Sequence, residues 1–159
     1  MTAAAPSSQP TDAPAESDPT FPASFLNHLG FVINKVGERL NRQAEQVTLP
    51  HGLNVRQYGL LLLLQREGPQ AQIVLSQRVG VDRTSVMRTV DLLEQRGLVR
   101  RDADPSDRRK HSVALTDAGT ALLEQTLADV HRAEGEVTAA LSAEEQALLL
   151  GLLTRLLPH

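Results

Sequence analysis

A basic segment from Val79 to Thr116 contains the side chains of this sequence that are best suited to bind a polyanion. Asp82 is a favourable N-cap residue and Gly97 is a typical helix stop, so the residues between them are predicted to form a helix. Its apolar residues recur at helical spacing and mark one buried face: Val86, Val90 and Leu93. The opposite face carries arginines, whose guanidinium groups can bind a phosphate or the edge of a guanine base.

Two short strands are predicted after this helix, at residues 98–101 and 111–115. The turn between them is rich in Asp, Pro and Ser, and it carries three consecutive cations: Arg108, Arg109 and Lys110. Either feature taken alone is usually a solvated surface. A helix with a basic polar face beside a basic β-hairpin, however, is what a winged helix-turn-helix needs to grip duplex DNA.

Further motifs surround this segment in a fixed order. Asp107 and Arg109 are separated by one residue, and five residues follow before the sequence LTDAG, which begins at Leu115. Upstream, residues 75–82 have the sequence LSQRVGVD, and residues 53–61 follow the pattern LxxxQYxxL. This ordered set resembles the multiple-antibiotic-resistance regulator (MarR) family of bacterial winged-helix transcription factors, and the resemblance covers the chain from about Phe21 to its end.

The resemblance implies a mainly α-helical fold with a small β-wing, in which a winged helix-turn-helix lobe is joined to N- and C-terminal dimerisation helices. Residues 20–159 are then a single domain, with 53–116 as the DNA-binding lobe and with 20–48 and 117–159 as the dimerisation helices. Residues 1–19 have no apolar pattern, and we expect them to be a disordered tail because they cannot bury enough surface to offset the entropy of ordering.

The helix predicted between Asp82 and Gly97 corresponds to the recognition helix of a helix-turn-helix. Its start is expected to enter the major groove of DNA. The residues expected near base edges or flanking phosphates are Arg83, Thr84, Ser85, Met87 and Arg88. Arg88 is the first choice for a bidentate contact to guanine, and Arg83 is equally suited to a phosphate. Met87 stands where the family commonly has a small polar residue, so an apolar contact to thymine methyl groups is expected there.

The resemblance also assigns roles to the turn of the hairpin. It implies that Arg109 inserts into the minor groove and that Asp107 orients it. A narrow A·T minor groove concentrates negative potential and so attracts a guanidinium. Arg108 and Lys110 are then expected to contact phosphates.

Helical periodicity organises the rest of the chain. Apolar residues from Phe25 to Val47 recur at steps of three and four and predict one long amphipathic helix, which Pro50 and Gly52 end. Asn54 can cap a second helix that is apolar nearly all round, and such a helix is predicted to lie at the centre of the core.

Two helices are predicted after the hairpin. Thr116 can cap a long helix that reaches Leu141, and Ser142 followed by two glutamates is typical of the start of another. The last helix has six leucines on a wide stripe and is closed by Pro158. Packing within one chain can cover part of this stripe. A two-fold homodimer, in which the first and last helices of two chains interlock, accounts for the remainder and agrees with the resemblance.

The charge distribution supports DNA as the partner, although the net charge is −3. Residues 78–110 contain nine cations and six acids, whereas residues 111–159 contain two cations and seven acids. Because charge is screened over about 8 Å at physiological salt, DNA responds to the local field of the basic module. The chain has no cysteine, no apolar run long enough to span a bilayer and no secretory signal, so a cytoplasmic protein is predicted.

The resemblance implies release from DNA by a small anionic or phenolic ligand, bound between the dimerisation helices and the DNA-binding lobe. Polar candidates near that crevice are Asn27, His28, Arg56 and Tyr58. The simpler alternative is that Tyr58 is a core residue with a satisfied hydroxyl and that Arg56 is only solvated.

The predicted function is therefore a sequence-specific regulator, a homodimeric repressor of a pseudo-palindromic operator. No nucleophile, phosphate-binding glycine loop or carboxylate pair suggests an enzyme, and no cofactor is predicted. The five histidines include no pair with metal-ligand spacing. Two alternatives remain open: a zinc-responsive regulator of the same fold, and a winged-helix module that binds protein.

Overall fold

The structure, a computed structural model, describes residues 21–103 and 111–157. The chain forms two units, Met1–Asn34 and Lys35–His159, and helix α2 passes through the boundary between them. The predicted tail at residues 1–19 and the wing turn at 104–110 lie outside the described residues.

The first unit contains helix α1 (Ala23–Leu26) and the first residues of helix α2 (Leu29–Thr48). The prediction of one continuous helix from Phe25 to Val47 is wrong, because the chain turns between α1 and α2. The rings of Phe21 and Phe25 pack on Phe31, with centroids 5.5 and 5.1 Å apart. Residues six apart on a continuous helix lie on different faces, so Phe25 reaches Phe31 only because the helix is interrupted.

The second unit contains the remaining elements in winged-helix order. After a short 3-10 helix at Leu49–His51 come α3 (Val55–Glu67), β1 (Gln70–Ala71), α4 (Gln72–Val79), α5 (Arg83–Gln95), β2 (Val99–Ala103), β3 (His111–Leu115), α6 (Asp117–Val137) and α7 (Ala143–Thr154). The strands form an antiparallel sheet in the order β1-β3-β2. This confirms the mainly helical fold with a small β-wing, whereas the two-residue strand β1 was not predicted.

Helix α3 lies at the centre of the core, as its uniformly apolar sequence predicts. Leu60, Leu61 and Leu64 are buried in one cluster with the apolar faces of α5 and α6. The predicted cap of α3 is also confirmed: the Asn54 side chain accepts from the amide of Gln57 at 2.8 Å, and the Gln57 side chain accepts from the amide of Asn54 at 3.0 Å. This reciprocal pair is a capping box.

Both ends of α5 are fixed by the residues that the sequence indicates. Asp82 caps its start and accepts from the amide of Ser85 at 2.9 Å. At its end Gly97 adopts a φ of 69°, and the amides of Gly97 and Leu98 donate to Glu94 and Leu93 at 2.8 and 2.9 Å. The two bonds form a Schellman motif, so the chain leaves α5 in a defined direction and enters β2.

Helix α6 begins where predicted and ends earlier than predicted. The Thr116 hydroxyl accepts from the amide of Gly119 at 3.1 Å and so caps its start. The prediction that the helix reaches Leu141 is wrong, since α6 ends at Val137. The Thr138 hydroxyl donates to the carbonyl of Glu134 at 3.0 Å, and the amide of Leu141 donates to Thr138 at 2.9 Å, which closes a turn instead of another helical turn.

The start of α6 is packed at Gly119 against Leu98, which follows the end of α5, the predicted recognition helix. A side chain there would overlap the carbonyl oxygen of Leu98 and would come within 3.0 Å of the Leu115 side chain. Thr116 strengthens the same junction, because its hydroxyl donates to Gly97 at 2.6 Å and its amide donates to Leu98 at 3.1 Å. The glycine of the LTDAG motif is therefore required by a close backbone approach.

We predict that Gly119→Ala destabilises the protein by roughly 1–3 kcal/mol, because the added methyl group pushes α6 away from Leu98. Gly135→Ala is the matched control: Gly135 lies in the same helix, and a methyl group added there would meet nothing within 4 Å. There alanine is expected to be neutral or to stabilise by up to about 1 kcal/mol. Urea unfolding at one fixed protein concentration measures both changes, and equal effects would contradict the explanation.

Candidate nucleic-acid interface

The first two turns of α5 present a polar surface outside the core. Val86, Thr89 and Val90 are buried on one side of these turns, and the exposed side chains lie on the other side. Five residues of α5 were predicted to contact DNA. Ser85 is half-buried, and the other four are exposed: Arg83, Thr84, Met87 and Arg88. The structure thus brings all five to one end of one helix.

Ser85 is bound to the cap of its own helix. Its amide donates to the Asp82 carboxylate at 2.9 Å. Hydrogen bonding from the side chain and the amide of Ser85 lowers the pKa of the Asp82 carboxyl. The Ser85 carbonyl accepts from the hydroxyl of the buried residue Thr89 at 2.9 Å. Ser85 therefore orders the first turn of α5, a structural role that was not predicted from the sequence.

Most of the arginines between residues 78 and 103 bind other groups of the chain. Arg78 pairs with Glu67 at 3.3 Å, Arg96 donates to Gly52 at 2.5 Å, Arg100 pairs with Asp102 at 2.9 Å, and Arg101 pairs with Asp91 and Glu94. In the described part of the chain, Arg83 and Arg88 have no such partner. These two guanidinium groups are therefore free to bind an external anion.

Arg96 holds the end of the recognition helix to the junction of α2 and α3. It donates to the carbonyl of Gly52 at 2.5 Å and to that of His51 at 3.4 Å. The ring of His51 in turn lies 3.4 Å from Asp129 of α6. The role of this arginine was not predicted from the sequence, since a bond between residues 44 positions apart leaves no local pattern.

The wing is described only at its base. The register of β2 and β3 runs from Val99 opposite Leu115 to Ala103 opposite His111. The four predicted contact residues of the turn lie outside the described residues: Asp107, Arg108, Arg109 and Lys110. The base thus forms the antiparallel ribbon that the sequence predicts.

The four candidate ligand residues occupy different environments. Asn27 and His28 are exposed in the first unit, at the turn between α1 and α2. In the second unit Arg56 is exposed, whereas Tyr58 is buried in the core cluster. Burial raises the pKa of Tyr58, and the nearby charge of Glu134 raises it further.

Arg56 lines an open cavity of about 680 Å³ in the second unit. The cavity is formed by one face of α2, the first turn of α3 and the turn between α4 and α5: Asn41, Glu45, Asn54, Val55, Arg56, Gly59, Val79 and Val81. Tyr58 is not among these residues. The pattern of α3 explains this, because positions two apart on a helix point in nearly opposite directions.

Metal-ligand clusters and membrane-spanning helices are both absent from the described ranges, 21–103 and 111–157. Within them, no group of three or more His, Asp or Glu side chains is arranged to hold a metal ion. No helix in that part of the chain is long and apolar enough to cross a membrane.

A helix-turn-helix with a capped, arginine-bearing second helix and an adjoining β-ribbon defines the winged-helix class of DNA-binding proteins. The sequence model of the MarR family matches residues 51–110. A protein named as a putative transcriptional regulatory protein for the hcr operon of Thauera aromatica is 33% identical over 134 residues, which is 84% of this chain and 81% of that protein. The chain belongs to the MarR family and is a DNA-binding transcriptional regulator.

Two solved structures are similar over most of their length. One is a mutant of MarR from E. coli complexed with operator DNA, at 29% identity and a TM-score of 0.75, covering 84% of this chain and 96% of that one. The other is CouR from Rhodococcus jostii bound to p-coumaroyl-CoA, at 29% identity and a TM-score of 0.75, covering 83% and 93%. Relatives with this fold therefore include one solved with operator DNA and one solved with a small-molecule ligand.

Proposed function

We propose that this protein is a homodimeric repressor that binds a pseudo-palindromic operator and is released from it by a small anionic or phenolic ligand. The observation that carries the proposal is that Arg83 and Arg88, at the start of the capped helix α5, have no partner among residues 21–103 and 111–157. The relative from E. coli, solved with operator DNA, supports the same use of the fold. The chain acts by binding, and no catalytic step is assigned to it.

We assign a role in the major groove to each exposed residue in the first two turns of α5. Arg88 binds a guanine through two hydrogen bonds, and Arg83 binds a flanking phosphate. Thr84 donates to a phosphate or a base, and Met87 packs on thymine methyl groups. Ser85 contributes by ordering the first turn through Asp82.

The wing has its own proposed contacts, which follow the sequence prediction. Arg109 enters the minor groove beside Asp107, and Arg108 and Lys110 bind phosphates.

We predict that Arg83→Gln weakens operator binding and flattens its salt dependence. Each phosphate contact contributes about 0.9 to the slope of log K against log salt, so a dimer that loses two contacts loses about 2 from the slope. Fluorescence anisotropy over a salt series measures it.

Arg66→Gln is the control for this prediction, because it removes an exposed cation from the far end of α3. Its salt slope should match that of the unmodified protein. If Arg83→Gln leaves the slope unchanged as well, Arg83 does not bind a phosphate.

The homodimer is proposed from the exposed leucines of α7. None of the twelve residues of this helix is buried, and large apolar side chains project from it and from the segment that follows: Leu148, Leu149, Leu150, Leu152, Leu156 and Leu157. Val36 on α2 is also exposed. Apolar surfaces of this extent usually mark an interface, and a second copy of the chain is the partner that a pseudo-palindromic site requires. In this assignment 20–48 and 117–159 serve dimerisation, and 53–116 binds DNA with recognition helices about 34 Å apart.

We predict that Leu152→Glu converts the dimer to monomers, because two carboxylates would be buried at the interface. Leu92→Glu is the matched control, since Leu92 on α5 is 45% exposed and Leu152 is 47% exposed. The control should remain dimeric. Sedimentation velocity at several concentrations measures the mass, and a dimeric Leu152→Glu variant would contradict the assigned interface.

The proposed ligand site is the cavity beside Arg56. Its volume lies within the usual range for small-molecule sites. Arg56 supplies a cation for a carboxylate, Glu45 can accept from a hydroxyl, and three valines provide apolar contact: Val55, Val79 and Val81. CouR, solved with p-coumaroyl-CoA, supports a phenolic ligand in this family. Because Val79 and Val81 flank the turn before α5, a ligand there would favour one position of the recognition helix.

We predict that 4-hydroxybenzoate or 4-coumarate weakens operator binding, and that Arg56→Gln raises the half-maximal concentration about tenfold or more, since a charge-assisted hydrogen bond is lost. The neutral amide 4-hydroxybenzamide should act on both proteins alike. Arg66→Gln should respond like the unmodified protein. Release assays of labelled operator measure these responses; an unchanged response of Arg56→Gln would exclude Arg56 from the site.

A further inference from the structure

Arg101 occupies a bridging position at the base of the wing. It lies on β2 opposite Val113, and its side chain reaches across to α5. There one terminal nitrogen pairs with Glu94 and the other pairs with Asp91. Its backbone amide also donates to Glu94, at 3.1 Å. One residue of the wing is thus held to the recognition helix by both its backbone and its side chain.

A third element joins the same cluster. Gln72 is the first residue of α4, and its amide can be oriented with the oxygen toward the guanidinium. In that orientation the oxygen accepts from Nη2 and Nε of Arg101 at 3.0 and 3.1 Å. The guanidinium therefore links both helices of the helix-turn-helix, α4 and α5, to the wing. The planar guanidinium of arginine can bond to all three elements at once, whereas the single ammonium group of lysine cannot.

The guanidinium of Arg101 is bonded to groups of the protein itself. Burial lowers its pKa, but the bonds and charges of Asp91 and Glu94 more than offset this, so the pKa is raised above the ordinary value. Its side chain is 23% exposed, whereas that of its neighbour Arg100 is 57% exposed. Two carboxylates face one guanidinium, so the cluster as a whole carries negative charge.

We propose that Arg101 is a positioning residue for operator recognition: through Asp91, Glu94 and Gln72 it sets the angle between the recognition helix and the wing. This inference rests on the proposed function, in which α5 reads the major groove and the wing enters the minor groove. Both contacts can form together on one half-site only if the distance between helix and wing is fixed. A looser wing lets each contact form separately and so lowers specific affinity.

Loss of Glu94 should change operator affinity in the direction opposite to the one expected from charge alone. Removing a carboxylate makes the protein more positive, and a more positive protein should bind any DNA more tightly. If Glu94 instead holds Arg101 in place, its removal should weaken binding to the operator. Non-specific duplex binding, which needs no fixed angle, should not weaken.

The test compares Glu94→Ala with Glu124→Ala, which removes an equal charge from an exposed position of α6. Operator and non-specific duplex binding are measured by anisotropy over a salt series, with thermal unfolding as a check of folding. We expect Glu94→Ala to weaken operator binding about tenfold, with non-specific binding and the salt slope nearly unchanged. Glu124→Ala should leave operator binding equal or slightly tighter.

Two further variants keep the proposal falsifiable if one of them is unstable. Arg101→Lys keeps the charge and loses the fork, so it should show the same loss of specificity. The double variant of Arg101→Gln with Glu94→Ala should cost no more than either change alone, because both break one cluster. Additive costs, or a Glu94→Ala protein that binds the operator as tightly as Glu124→Ala, would overturn the proposal.

The salt slope separates this proposal from the proposed function. If Arg101→Gln flattens the slope as Arg83→Gln is expected to, Arg101 contacts phosphate and is not a positioning residue. If Arg83→Gln leaves the slope unchanged while Glu94→Ala still lowers specificity, the role assigned to Arg83 fails and the positioning role of Arg101 stands.

Discussion

The backbone junction at Gly97 and Leu98 is the constraint on which the rest of this structure depends. The recognition helix ends there, β2 begins there, and the carbonyls of both residues accept from Thr116, at the point where β3 passes into α6. Gly119 lets α6 approach the Leu98 carbonyl closely. Four elements therefore share one small region, and a shift of any of them must move the others because packed backbone cannot be compressed.

The second organising feature is the way in which the chain uses its arginines. A protein of net charge −3 can bind DNA because charge acts locally, but local excess is not enough if each cation already has a partner. Within the described residues, the helix-turn-helix and wing base commit Arg78, Arg96, Arg100 and Arg101 to internal bonds. These hold the elements in place, while the two unpartnered arginines of α5 remain for an external anion. In the proposed function, some arginines therefore position the elements and others bind DNA.

The cavity beside Arg56 adjoins the same machinery. It touches the face of α2 that carries Asn41 and Glu45, and it also touches the turn before the recognition helix. In the proposed function, a compound bound there would contact both α2 and this turn. Such a compound could change DNA affinity only by preferring one position of the turn over another.

Local chemistry determined what could be predicted from the sequence: the caps at Asn54, Asp82, Thr116 and Ser142, the stop at Gly97, the strand at 111–115 and the exposed face of α5. Each depends on residues within a few positions of one another, and the MarR resemblance depends on an ordered set of such local motifs. The break before α2, the end of α6 and the separation of Arg56 from Tyr58 are local features that were not predicted from the residue types. Tertiary structure decided the strand β1, which pairs with β3, and the distant partners of the arginines. Those depend on contacts between residues far apart in sequence, such as Arg96 with Gly52, and no local pattern of residue types encodes such a distance.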